Sequence, residues 1–115
     1  MHVAVTKRDG QVAIVTVTGA IDLTTASQLR DAIHGLFEAG HTRIVVDLAG
    51  VEFCDSIGLG TFAYGHNHCV ATGGFLRLAA PSPFLTRLLS TVGLAGPIPV
   101  HDTVEGALNA GAPAG

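Results

Sequence analysis

No stretch of this chain gathers Lys or Arg. Six of its 115 residues are basic, and Arg30, Arg43, Arg77 and Arg87 stand far apart along a sequence of formal net charge −3. Nucleic-acid binding needs a dense positive surface to displace counterions, so the composition argues against nucleic acid as a direct partner. Long apolar runs are missing as well. None approaches the roughly 18 residues that cross a bilayer, and Met1–Gly10 holds no apolar core of a secretory signal. These absences predict a cytoplasmic protein with no membrane span. The two cysteines, Cys54 and Cys69, fit no zinc or redox spacing and are expected as reduced, partly buried thiols. Charged residues make up 13% of the chain and apolar ones 48%, which is enough to bury a core and too apolar for disorder. The length suits one domain and is too short for two. We expect a single domain over residues 1–115, with an ordered core at about 3–109 and a frayed tail at 111–115.

The patterning alternates between strand and helix. His2–Lys7 and Gln11–Thr18 read as strands around Arg8-Asp9-Gly10, and Asp-Gly between apolar runs signals a hairpin. Gly19-Ala20-Ile21-Asp22 reads as a turn. Leu23, Ala26, Leu29, Ile33, Leu36 and Phe37 then recur at three- and four-residue steps, the spacing of an amphipathic helix. Asp22, Thr24 or Thr25 is placed to cap it and Gly40 to end it. Arg43–Leu48, continuous and β-branched, suits a central strand covered on both faces. A second helix spans about Ile57 to Thr72, broken by Gly73-Gly74, and Phe75–Ala79 is a further strand. Pro81-Ser82-Pro83 opens a third helix, Ser82 to Val92, with Phe84, Leu85, Leu88 and Leu89 on its apolar side and Gly93 at its stop. Ile98–Val100 is a short strand. Asp102 suits the N-cap of a last helix through about Asn109, with Val104 and Leu108 facing in. The order β-β-α-β-α-β-α-β-α predicts an α/β fold: a mixed sheet of about five strands with about four helices, its later pairings largely parallel.

The densest chemistry lies in Val45–Gly60, where an apolar run leads through Asp47 and a short loop into Asp55-Ser56-Ile57-Gly58-Leu59-Gly60. Ser56 falls at or near a helix N-terminus, where unpaired amides and the positive end of the dipole favour negative charge. A hydroxyl there can cap the helix, act as a nucleophile or accept a phosphate. A hydrolase elbow wants Gly-x-Ser-x-Gly, and Cys54 occupies the first Gly position. His101 and Asp102 lie downstream, but the chain is short for that layout. His66 and His68 point about 200° apart on a helix and cannot share a metal. No Gly-Lys-Ser/Thr follows, and Gly58-Leu59-Gly60 lacks the third glycine of a dinucleotide fingerprint. We therefore expect Gly58 and Gly60 to serve close packing at the helix start, and we expect no metal site and no cofactor. Asp22, Asp47 and Asp55 form a candidate acidic cluster near Ser56, in which two members are also candidate caps.

Asp55-Ser56-Ile57-Gly58-Leu59-Gly60 resembles the signature of the STAS domain family, specifically of bacterial anti-sigma factor antagonists. Gly19-Ala20-Ile21-Asp22-Leu23 is similar to the family's turn into its first helix, and Asp47-Leu48-Ala49-Gly50-Val51 to its strand-to-loop signature. Gly73-Gly74, Pro81-Ser82-Pro83, Leu88–Leu94 and Asp102–Leu108 resemble its C-terminal half, so the likeness runs over about residues 3–109. It implies a small α/β domain with no catalysis of its own. Ser56 would be phosphorylated by a cognate anti-sigma factor that is also an ATP-dependent serine kinase. The unphosphorylated form would bind that kinase and free the sigma factor, and a phosphatase would restore it. Asp22 matches a family aspartate that helps present the phosphoacceptor, and Asp55, Ile57, Gly58, Leu59 and Gly60 would surround it. The chain has Ile57 where the family commonly carries a second Ser or Thr, which leaves Ser56 as the sole local acceptor and enlarges the apolar surface beside it. The alternative the resemblance leaves open is a free-standing STAS subunit of a transporter or stress-sensing complex.

Overall fold

Ile44, Val45 and Val46 are consecutive and all fully buried, so the strand that carries them is covered on both faces. The computed structural model, which describes residues 1–8 and 12–110, shows how. In chain order the elements are β1 (His2–Arg8), β2 (Val12–Ile21), α1 (Ala26–Glu38), β3 (Arg43–Cys54), α2 (Ser56–Ala71), β4 (Phe75–Ala79), α3 (Pro83–Thr91), β5 (Val100–His101) and α4 (Val104–Leu108). The five strands form one sheet in the order β1-β2-β3-β4-β5. β1 and β2 pair antiparallel, while β2 with β3, β3 with β4, and β4 with β5 are parallel. The fold is the α/β mixed sheet with four helices that the alternation predicts.

Strand periodicity divides the interior in two. Ala13, Val15, Val17, Ile44, Val46, Leu76 and Leu78 join Leu29 and Ile33 of α1, Phe62 and Cys69 of α2, and Leu85 and Leu89 of α3 in the main core. The intervening Ile14, Val45 and Ala79 form a smaller core on the other face with Ala107 of α4. Buried Arg77 belongs to this second layer. Its guanidinium lies 3.8 Å over the Phe75 ring and donates to the Ala107 carbonyl at 2.8 Å. The first three helices end alike. The amides of Gly40, Gly73 and Gly93, each at positive φ, and of the residue after each, bond back to the last turn in nested pairs. A left-handed residue is required at that position, and glycine takes it without strain.

Several boundaries differ from the sequence reading. β2 continues through Gly19-Ala20-Ile21, which was expected to turn, and β3 continues from Leu48 to Cys54, which was expected to be loop. Each extension supplies the other's partner, with Gly19 opposite Val51 and Ile21 opposite Cys54 across register shifts. Leu23 precedes α1 and is 71% exposed instead of facing the core. Phe84 is likewise exposed. The last strand starts at Val100 because Pro97 and Pro99 lack the N–H that a ladder needs. Thr103, whose hydroxyl accepts from the Gly106 amide at 2.9 Å, caps α4 in place of Asp102. The turn expected at Asp9-Gly10 and the tail at 111–115 lie outside the described residues.

Candidate functional site

β2 and β3 end side by side. Ile21 and Cys54 are their last paired residues, and the Asp55 amide donates to the Ile21 carbonyl at 3.1 Å. Asp22 and Asp55 therefore emerge from adjacent strand ends. Asp55 is the N-cap of α2: extended in backbone, it accepts from the Ile57 amide at 3.0 Å and the Gly58 amide at 2.9 Å through one carboxylate oxygen. A cap of this kind contributes about 0.5–2 kcal/mol. Ser56 does not cap, because Asp55 has already taken the free amides. It is the first helical residue, it is exposed, and none of the described residues hydrogen-bonds its hydroxyl.

Asp22 ties the preceding turn. One carboxylate oxygen accepts from the Thr24 hydroxyl at 2.8 Å and the Thr24 amide at 3.0 Å, and from the Thr25 amide and hydroxyl at 3.2 Å. Helix α1 itself has no side-chain cap, so of the three cap candidates Asp22 organises the entry to the helix from outside it. The Thr24 hydroxyl first, then the Thr24 amide, and in smaller measure Thr25, hold the Asp22 carboxyl below the usual carboxylate range. A depressed folded value means that these bonds stabilise the turn above the unfolded pKa of about 3.9 and are lost as pH falls through the folded value. We expect the Asp22 carboxyl, followed by NMR, to titrate below 3.9 and to move upward in Thr24→Ala. A wild-type midpoint at or above that value would contradict the bonding described.

The acidic cluster reduces to these two. Asp47 pairs with Thr16 and Ala79, well back along β3, and its carboxylate accepts from the Ala49 amide at 3.1 Å. His101 enters the sheet beside Ala79 in that same row, which removes it as a base for Ser56. The histidines of α2 diverge: His68 stacks on Phe37 at 3.8 Å, and His66 lines a pocket with Phe75 and Pro97. Among the described residues, no three His, Cys, Asp or Glu side chains gather as a metal site. Burial, with a smaller push from the Asp55 charge, raises the Cys54 thiol to about 12, and burial alone does the same at Cys69. Neither is a thiolate nucleophile near neutral pH.

The two motif glycines play different parts. A Cβ on Gly58 would meet Ile21 Cγ2 at 2.7 Å, and Cys54 Sγ and the Ile21 carbonyl oxygen at 2.8 Å, so α2 starts where only glycine fits. Around Gly60 nothing lies within 4 Å, contrary to the packing role expected of it. Gly60 instead joins Ser56, Leu59, Ala63, Val92 and Leu94 in lining an apolar groove of about 220 Å³ between α2 and the end of α3. Ile57, next to Ser56 in the chain but not part of this lining, is 47% exposed, while Leu59 is buried. The part played by Val92 and Leu94 has no local signal, because packing across the helices brings them to Ser56.

Residues 3–107 match the STAS domain. The chain belongs to the STAS domain family. It is 34% identical over 92 residues to the anti-sigma-B factor antagonist of Bacillus subtilis, covering 80% of this chain and 84% of that one. Over 48 residues it is 44% identical to an anti-sigma-F factor antagonist of Mycobacterium tuberculosis, covering 42% of this chain and only 39% of that relative's length. The crystal structure of an anti-sigma factor antagonist from Mycobacterium paratuberculosis superimposes with a TM-score of 0.86 at 32% identity, over 95% of this chain and 92% of that one. In this STAS domain the exposed Ser56 and the two ordered carboxylates occupy the carboxyl ends of β2 and β3. No helix among the described residues is long and apolar enough to cross a membrane.

Proposed function

We propose that this STAS domain is a single-domain cytoplasmic anti-sigma factor antagonist that acts by binding. Its unphosphorylated form engages a cognate anti-sigma factor, a serine kinase that holds the ATP, and so frees the sigma factor. Phosphate on Ser56 switches the interaction off and a phosphatase restores it. One observation carries this reading: Ser56 presents an exposed hydroxyl at the head of α2 with its capping role already filled by Asp55. That hydroxyl is available to a partner's nucleotide, and among the described residues none hydrogen-bonds it as an activating base would. The Asp22 carboxylate, held in its turn by Thr24 and Thr25, helps present it, while exposed Ile57 supplies apolar surface and Leu59 and Gly60 form part of the groove wall that Ser56 shares.

The test is phosphorylation. Incubated with the anti-sigma factor kinase of its own cell and ATP, the protein is expected to gain one phosphate, on Ser56, read by intact-mass and peptide mass spectrometry. Thr61 is buried and bonds the Ile57 carbonyl at 3.4 Å, and Ser82 is spent as the cap of α3, so neither competes. Labelling that persists undiminished in Ser56→Ala sinks the assignment.

A further inference from the structure

Thr25 holds the N-cap position of α1, yet its side chain caps nothing. Its backbone is near-helical, with φ −115° and ψ −18°, where a capping threonine is extended. The hydroxyl turns back instead. It donates to the Ala20 carbonyl at 2.8 Å and accepts from the Asp22 amide at 2.9 Å. The Thr25 and Ala26 amides close the same turn on the Asp22 carbonyl at 3.1 and 2.8 Å. A half-buried hydroxyl thus ties the start of α1 to the end of β2, and the helix forgoes a cap. What this knot fixes is Asp22. The bonds to its carboxylate, from the amides and hydroxyls of Thr24 and Thr25, all fall on Oδ1. Among the described residues none bonds Oδ2. An ionised carboxylate only accepts, so the group this second oxygen can take is a donor. Asp22 also stands where that donor would come from the partner of Ser56. The carbonyl just before it, that of Ile21, receives the Asp55 amide at 3.1 Å, and Ser56 follows Asp55.

Resting on the function proposed above, we infer that Thr25 is a positioning residue of the Ser56 site. It acts through Asp22, whose Oδ2 it keeps turned to receive a hydrogen-bond donor of the anti-sigma factor kinase. Its hydroxyl bonds Ala20 and Asp22, so its effect reaches the kinase by way of that carboxylate. Without the knot Asp22 keeps its charge and loses its direction. The kinase would then have to order the carboxylate on binding, a cost that the free protein otherwise meets in advance. Thr24 supports the same orientation from the exposed side of the turn, through its hydroxyl.

The probe is the purified kinase that labels the wild-type protein, with ATP, and the readout is kcat/KM for labelling. Asp22→Ala is expected to lower it at least about tenfold, the worth of a hydrogen bond to a charged group. Thr25→Val should lower it about fivefold, and Thr25→Ser, which keeps the hydroxyl, less than about twofold. In the Asp22→Ala protein, adding Thr25→Val should cost less than about twofold more, because residues that act as one unit are not additive. A merely structural role for Thr25 would add in full. Thr103→Ala, which removes the cap of α4 on the other face of the sheet, should label as wild type despite its loss of stability. Thr24→Ala, at an exposed position, should cost about threefold in the wild-type background and nothing in Asp22→Ala. It decides the matter if Thr25→Val does not fold, and wild-type labelling there counts against the role. Wild-type kcat/KM in folded Asp22→Ala or Thr25→Val, or equal losses with and without Asp22, overturns the positioning role and leaves Ser56 as the phosphoacceptor. A wild-type protein that no anti-sigma factor kinase of its cell labels overturns the proposed function, and this role with it.

Discussion

Phosphate on Ser56 is expected to lower affinity for the anti-sigma factor at least about a hundredfold while leaving the fold unchanged. Phosphorylation adds roughly −1.5 to −2 charges at pH 7. In the free protein the head of α2 tolerates this, because the dipole favours an anion there by about 0.3–1 kcal/mol. The phosphate does not gain the best amides, however. Those of Ile57 and Gly58 already bond Asp55, so the new charge lies beside a carboxylate and extends outward. In a complex it would be desolvated against Asp55 and the partner's own phosphate-binding site. An unpaired buried charge costs several kcal/mol, and each 1.4 kcal/mol is about tenfold in affinity. Ser56→Asp should reproduce part of the loss, having less charge and shorter reach. Ser56→Ala should still bind, since it removes a hydroxyl that none of the described residues hydrogen-bonds. Calorimetry on the phosphorylated, Ser56→Asp and Ser56→Ala forms, with circular dichroism of each, measures this. Equal affinity of phosphorylated and unmodified protein would rule the switch out and favour a role as subunit of a larger complex.

Gly58→Ala and Gly60→Ala, two residues apart on α2, should change stability in opposite directions. At Gly58 the added methyl meets a backbone carbonyl and two buried side chains below 3.0 Å, and that carbonyl is the one that accepts from Asp55. Relief requires moving the end of β2 or the start of α2. Overpacking of this kind costs about 1–3 kcal/mol, which outweighs the gain of up to about 1 kcal/mol from replacing helical glycine by alanine. At Gly60 that gain is unopposed, because the methyl enters open space. Urea titrations should show a lower midpoint for Gly58→Ala and a higher one for Gly60→Ala, with unchanged slopes. Gly58→Ala as stable as wild type would contradict the packing at the strand ends.

Elements whose cause is local were legible without the structure. Helices α1, α2 and α3 stop at Gly40, Gly73 and Gly93 because the closing turn needs a left-handed residue, and α3 starts at Ser82-Pro83 because a hydroxyl and a proline suit that place. The double-sided burial of β3 follows from its unbroken β-branched run, and the position of Ser56 at the head of α2 from an aspartate and glycines after a strand. Where local chemistry offered several answers, tertiary structure chose. Either Asp55 or Ser56 can cap α2, and the bond from the Asp55 amide to the Ile21 carbonyl sets Asp55 in the extended conformation that a cap needs. Gly19–Ile21 and Ala49–Cys54 look like loops until each is given the other as a ladder partner. Leu23 and Phe84 have the helical spacing of core residues, but spacing is blind to which surface a neighbouring element covers. They were left in water, and Phe84 was set against Phe53. Periodicity records which residues can be buried together; only packing decides which apolar residues remain outside.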